Sequence, residues 1–426
     1  MVSTSTLNRR HIIAGLGASG ALGSISLPAL AQTKANLVII GGGFGGATAA
    51  RYLKRLVPNA NISLVEPNSK FISCPFSNLV IAGERTLDEQ TFSYKKLVKA
   101  GITLVQEKAS KIDSASKTVT LEGGSTLPFD RLVLSPGIDF RWDAIEGYNQ
   151  AASQIIPHAW KAGSQTQLLR DQLLAMEDGG LVIMSVPPAP FRCPPGPYER
   201  ASLIAHYLKT QKPRSKLLVL DAKDSFSKMP LFKEAWAKHY PDHLEWRGAT
   251  DDGRVSRVDA STSTVSTDFD DIKANVANVI PPQQASHIAQ ISGVADATGW
   301  CPINPVTFES TLQPNIHVIG DASIVAPMPK SAFSANLQAK LCSIQIAVLL
   351  AGDEPEATLL NNTCYSFTTP DEAVSISGVY RNTNNVFESI PNAGGLSPLA
   401  ASNDIRMTEA TQATDWFKAI IMDTLG

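Results

Sequence analysis

Gly41, Gly43 and Gly46 form a G-x-G-x-x-G pattern directly after the apolar run Leu37-Val38-Ile39-Ile40, and Glu66 follows 20 residues after Gly46. Gly41 suits a tight turn, Gly43 lets backbone approach a pyrophosphate, Gly46 permits close helix packing, and Glu66 is placed to hold a ribose diol. This spacing predicts a bound adenine dinucleotide. A second acid, Asp321, follows Gly320 at the end of the apolar run His317-Val318-Ile319. There it suits the ribityl chain or pyrophosphate region of a flavin. Together with the apolar run 131–134, which ends in the turn Ser135-Pro136-Gly137, these signals favour FAD as the cofactor.

The five cysteines (Cys74, Cys193, Cys301, Cys342, Cys364) show neither C-x-x-C nor C-x-x-C-H spacing. The chain is therefore expected to bind no metal and to carry no c-type haem of its own. Cys193 lies within residues 187–197, a segment holding six prolines. Glu199 falls in the first turn of the helix expected next, where it serves either to move protons for a cysteine or to complement the helix dipole. Lys330, after a proline-bracketed turn, either sets positive charge beside a flavin N1 and C2 carbonyl or faces solvent. Cys301 and Cys342 read as small core residues.

Positioning these groups requires a strand over 37–40, a helix over 47–56 and a strand over 62–65. A second unit repeats the plan, with a strand over 181–186, a helix over 198–210 and a strand over 216–220 capped by Asp221. Its glycine loop is replaced by the prolines of 187–197, which offer no N–H groups to a phosphate. The fold class is thus α/β, with two Rossmann-like dinucleotide-type domains in a glutathione-reductase-like arrangement and a C-terminal interface domain. The expected divisions are 1–31 as an export signal, 32–145 with 284–352 as a discontinuous FAD domain, 146–283 as an NAD-binding-like domain without a functional glycine loop, and 353–426 as the C-terminal unit. Its Gly, Pro and Asn content around 391–398 suits an irregular surface.

Arg9-Arg10, an uncharged run over 12–30 and Ala29-Leu30-Ala31 read as a twin-arginine signal and cleavage site, which places the protein in the periplasm. With 43% hydrophobic and 18% charged residues the chain is globular, and a net charge of -2 without basic blocks gives no reason to expect nucleic acid as a partner. Beyond the signal the longest apolar stretch, 341–351, is too short to span a bilayer.

The chain resembles the flavoprotein subunit of flavocytochrome c sulfide dehydrogenase, within the disulfide-reductase-like FAD flavoproteins that include sulfide:quinone reductase. The resemblance rests on Val38-Ile39-Ile40-Gly41-Gly42-Gly43, the stretch from Pro190-Phe191-Arg192-Cys193-Pro194-Pro195-Gly196 to Ala201, Gly299-Trp300-Cys301-Pro302, Met328-Pro329-Lys330-Ser331 and Asn362-Thr363-Cys364-Tyr365-Ser366. It implies a periplasmic enzyme that oxidises sulfide and passes electrons from FAD to a separate cytochrome c subunit, the only bearer of haem. It also implies a redox-active disulfide between Cys193 and Cys364, a thioether from Cys74 (in Phe71-Ile72-Ser73-Cys74-Pro75) to the flavin, and a Trp416 lying between flavin and cytochrome. The alternatives are a sulfide:quinone reductase, an NAD(P)H-dependent FAD disulfide reductase and a non-enzymatic flavin-bearing adaptor.

Overall fold

The structure, a computed structural model, describes residues 34–383 and 386–426, and the export signal expected over 1–31 lies outside the described residues. Asn36–Ile40 is a continuous apolar strand because it is the middle of an all-parallel sheet. The order is Ile316–Val318, Arg131–Leu134, Asn36–Ile40, Asn61–Val65, Thr103–Val105. Helix Phe44–Leu56 buries Ala47, Ala49, Ala50 and Leu53, and it packs on the long helix Ala332–Ala351. The carboxyl ends of the three strands Asn36–Ile40, Arg131–Leu134 and Ile316–Val318 lie together, which brings Gly41, Ser135 and Gly320 to one edge. Ligands of open α/β sheets bind at this edge.

The second parallel sheet runs Leu244–Arg247, Lys216–Asp221, Leu181–Val186, Val276–Val279. The chain enters and leaves this unit through Ile138–Phe140 and Gln283–Ala285, which pair antiparallel, so both crossings share one ribbon.

In the C-terminal unit residues 391–398 are mostly exposed and open in turns and bends, as their composition suggests, and the main regular pairing lies before them. Leu359–Phe367 and Ala373–Thr383 pair as a long antiparallel hairpin, Val386–Ser389 extends it, and Gly395–Leu396 adds a short strand against Ile376 and Ser377. The final helix spans Asn403–Leu425. Its buried stripe begins with charged residues, Arg406 and Glu409, so hydrophobic periodicity does not reveal the first turns. Arg406 is satisfied there by Glu409 at 3.3 Å and Glu234 at 3.1 Å.

Among the described residues one helix, Ala332–Ala351, is long and apolar enough to cross a membrane. Most of that helix is buried inside the protein, against Phe44–Leu56.

Candidate active site

The grouped strand ends open into a cleft of about 500 Å³. At its nucleotide end Gly41, Gly43, Glu66, Gly320 and Asp321 line the wall. The carboxylate of Glu66 is held in place by the Gly42 N–H at 2.8 Å and the Asn68 N–H at 2.9 Å. A Cβ at Gly43 would meet no protein atom within 4 Å, so the loop presents bare backbone to the cleft. Gly43 also caps helix Phe44–Leu56 without a side-chain hydrogen bond, leaving the helix N–H groups open to an anion. These residues fit the pyrophosphate and ribose of FAD. Gly46 does not line the cleft. It lies beneath the loop, where a Cβ would sit 1.8 Å from the Gly41 carbonyl oxygen.

The far end of the cleft gathers sulfur. Cys74, Cys193 and Cys364 all line it, from three separate parts of the chain, whereas Cys301 and Cys342 are fully buried elsewhere. The Cys74 Sγ accepts from Arg192 Nη2 at 3.1 Å. Arg192 is further fixed by the Trp160 carbonyl and faces Asp321 at 3.8 Å. Cys193 takes a left-handed conformation (φ 54°), secured by its N–H on the Lys330 carbonyl at 2.7 Å and its own carbonyl on the Gly196 N–H at 2.8 Å. Phe76, which also lines the cleft, and Lys228 are left-handed too.

Cys364 receives the Asn362 side-chain N–H at 3.2 Å. The Asn362 oxygen is occupied by the Ser331 and Ser334 hydroxyls, which fixes the amide with its nitrogen toward sulfur. Cys193 and Cys364 are free thiols in this structure, so the disulfide implied by the resemblance is not formed here. Cys193 is open to the cleft, yet the cleft is walled by protein. Burial, then the neighbouring Cys364 and Glu199, push its thiol up, against the pull of Lys228 and Arg192.

Glu199 sits beside this pair and is not a solvated first-turn acid. It accepts from Asn78 Nδ2 at 2.9 Å and from the Phe367 N–H at 3.2 Å, and burial raises its carboxyl. Lys228 escapes notice in the sequence because it sits in an ordinary polar loop. Its ammonium crosses to the C-terminal hairpin, donating to the Cys364 carbonyl at 3.0 Å, Ser366 Oγ at 2.8 Å and the Val374 carbonyl at 3.2 Å. Burial brings it down to about 8.

Lys330 does not face solvent. Its ammonium donates to the carbonyls of Asp321 and Ser323 at 2.8 and 2.6 Å and lies 4.0 Å over the Trp300 ring, and burial lowers it to about 8. Trp416, from the final helix, lines the cleft between Phe333, nearly parallel at 6.4 Å, and Tyr365 at 6.3 Å.

In the second unit the site that would take a nicotinamide dinucleotide is filled by protein. Asp221, at the strand end where an acid would hold a ribose, is fully buried and accepts from Tyr198 Oη at 2.6 Å, Lys223 Nζ at 2.6 Å and Trp246 Nε1 at 3.2 Å. Tyr198 stacks on Phe226 at 3.6 Å, with Phe232 and Trp236 packed alongside. The acid and the space are both spent internally, in addition to the missing glycine loop. NADH is therefore expected to leave the flavin absorbance of the holoprotein unchanged over minutes under anaerobic conditions. Rapid bleaching by NADH would reject this account.

Comparison with known proteins agrees with this geometry. Residues 35–172 match the pyridine nucleotide-disulphide oxidoreductase family, residues 166–281 the central domain of the sulfide dehydrogenase (flavocytochrome c) flavoprotein chain, and residues 356–425 the flavocytochrome c sulphide dehydrogenase flavin-binding domain. The mitochondrial sulfide:quinone oxidoreductase of Mus musculus is 21% identical over 76% of this chain and 73% of its own. The sulfide dehydrogenase flavoprotein chain of Chlorobaculum thiosulfatiphilum is 54% identical over 44 residues, 10% of this chain and 92% of that sequence. The sulfide:quinone oxidoreductase structure from Aquifex aeolicus superposes with a TM-score of 0.70 at 17% identity, covering 92% of this chain and 91% of that one. The chain belongs to the FAD flavoproteins of the pyridine nucleotide-disulphide oxidoreductase fold that comprise sulfide dehydrogenase flavoprotein chains and sulfide:quinone oxidoreductases.

Proposed function

We propose that the protein is the sulfide-oxidising flavoprotein subunit of a periplasmic flavocytochrome c, delivering electrons to a separate cytochrome c. The observation that carries this reading is the convergence of Cys193 and Cys364 in the FAD cleft beside Glu199, while the second dinucleotide site is plugged. Both family matches at 166–281 and 356–425 support it, and the cytochrome acceptor and export follow from the resemblance and from Arg9-Arg10.

In the oxidised form the two cysteines would be joined. Hydrosulfide attacks one sulfur, its electron pair forming the new S–S bond, and the pair of the old bond leaves with the second sulfur as a thiolate. Glu199 is placed to take the proton of the incoming HS⁻. Lys228, Arg192 and the Asn362 amide offer positive charge or a hydrogen bond to the sulfur end. Bound FAD would supply the two-electron acceptor and pass electrons on singly: the persulfide and thiolate give up two electrons and close into a trisulfide that holds the added sulfur, which a further hydrosulfide removes as HSS⁻ to restore the disulfide. Gly41, Gly43, Glu66, Gly320 and Asp321 would hold FAD, with Cys74 as the residue for a thioether. Trp416 stands at the wall from which electrons would leave.

Anaerobic sulfide is expected to bleach the flavin, and added c-type cytochrome to restore it. A flavin that sulfide does not bleach rejects the reading. A quinone acceptor is the second reading, favoured by the superposition on a sulfide:quinone oxidoreductase and by exposed Ile405, Met407 and Met422 on the final helix. Faster reoxidation by a short-chain quinone than by cytochrome c would establish it instead.

For the thioether, acid precipitation of the native protein is expected to leave the yellow colour in the pellet, and Cys74→Ser to release it into the supernatant. Colour released from the native protein rejects the covalent bond.

A further inference from the structure

Arg200 is among the largest fully buried side chains in the protein, only 2% exposed. Its guanidinium lies 4.9 Å over the Trp160 ring and donates to the His158 and Ala159 carbonyls, to Asn278 Oδ1 at 2.9 Å and, through Nε, to Asn78 Oδ1 at 3.0 Å. Every partner is a neutral oxygen. A buried cation satisfied only by dipoles keeps its charge available to act at longer range.

The consequence falls on Asn78, in the short helix Ser77–Ala82 of the FAD domain. A guanidinium has no acceptor, so the Asn78 oxygen must face Arg200 and the amide nitrogen must face the other way. That nitrogen donates to Glu199 Oε1 at 2.9 Å and to the Gly196 carbonyl at 3.3 Å. We propose that Arg200 and Asn78 are positioning residues: Arg200 locks the Asn78 amide so that its N–H holds Glu199 as a carboxylate beside Cys193 and Cys364.

The need for such a device is physical. Glu199 is walled by protein, and burial alone favours its neutral form, which cannot accept a proton. The groups that oppose burial come from each neighbouring element. They are the Asn78 amide, Lys228 ahead of helix Met229–His239, the Phe367 N–H of the C-terminal hairpin and Arg200 on the same helix. Cys193, Cys364 and Glu409 face Lys228, and Arg192 faces Cys193, so the remaining charges compete around the same sulfur pair. The Asn78 bond is the one that a single neutral substitution removes without altering any charge.

The inference rests on Glu199 as the proton acceptor of the proposed function, but it can be tested apart from sulfide. In the holoprotein, the carbonyl stretch of the protonated Glu199 carboxyl is assigned as the infrared band lost in Glu199→Gln, and its amplitude is titrated against pH. Asn78→Leu keeps the shape and removes the donor. Its midpoint is expected to rise by about one pH unit or more, the worth of a hydrogen bond to a charged group. Asn78→Gln, which restores a donor, should recover part of the shift.

Arg200→Lys keeps the charge but loses the planar fork that fixes the amide, so it should also raise the midpoint. Added to Asn78→Leu it should raise the midpoint no further. An unmoved midpoint in Asn78→Leu with native flavin absorbance and melting temperature overturns the proposal, as do additive shifts in the double variant. If Arg200→Lys does not fold, the Leu and Gln variants of Asn78 still decide it. A moved band with an unmoved acid limb of sulfide-driven flavin reduction would instead reject Glu199 as proton acceptor and leave the relay standing.

Discussion

Cys193→Ser and Cys364→Ser are each expected to bind FAD and fold normally while sulfide loses its ability to reduce the flavin. The loss should reach about three orders of magnitude or more, because the electrophilic sulfur is gone and a hydroxyl cannot replace it. The competing reading is a bridge that merely ties the proline loop to the C-terminal hairpin. In that case the same changes would lower stability by about 2–5 kcal/mol and leave reduction intact. The surroundings argue for chemistry. Cys364 lies in a strand already registered by nine paired positions from Leu359 to Phe367, and Lys228 pins the hairpin to the second unit through two hydrogen bonds to that strand and one to its partner. The hairpin is therefore anchored by contacts other than a disulfide. Anaerobic stopped-flow reduction read beside melting curves separates the two outcomes, and near-native reduction in both variants would reject the disulfide mechanism.

What could be read from the sequence was local. The pattern Gly41, Gly43, Gly46 with Glu66 sits within one strand-turn-helix-strand unit, so the dinucleotide fold and its parallel sheet are legible in about thirty consecutive residues. The proline loop around Cys193 likewise announces that a glycine loop is missing. It does not announce the stacked Tyr198 and Phe226 or the buried Asp221, which complete the blockage from three separate segments.

Lys228, Asn78 and Arg200 were illegible for the same reason. Each is polar, and each acquires its role only through partners at least 40 positions away. The nearest sequence signal is the Glu199-Arg200 pair opening a helix in which Tyr198, Ala201, Leu203 and Ile204 are all buried, since charge on an otherwise buried helix must find partners. Lys330 shows the limit of reasoning from residue type. A cation beside a cofactor site was a sound expectation, but its ammonium is drawn to the Asp321 and Ser323 carbonyls beside the cleft wall.

Gly43→Ala and Gly46→Ala are expected to fail in opposite ways, although the two residues are only three apart. The comparison is best made in the Cys74→Ser background, where any thioether is absent and FAD can be titrated. At Gly43 an added Cβ meets no protein atom, and the backbone there (φ -74°) is one any residue adopts, so the flavin-free protein should melt as before. The methyl group instead enters the open face that backbone must present to the pyrophosphate, and FAD affinity should fall sharply. At Gly46 the Cβ would sit 1.8 Å from the Gly41 carbonyl, a rigid backbone atom, so helix Phe44–Leu56 must move off the strand. Overpacking of this kind costs about 1–3 kcal/mol or more and should lower the melting temperature of the flavin-free protein itself. Saturating FAD should then return part of the lost stability to Gly46→Ala by mass action but little to Gly43→Ala, whose defect lies in binding. Native FAD affinity in Gly43→Ala would show that the cofactor does not lie against this loop.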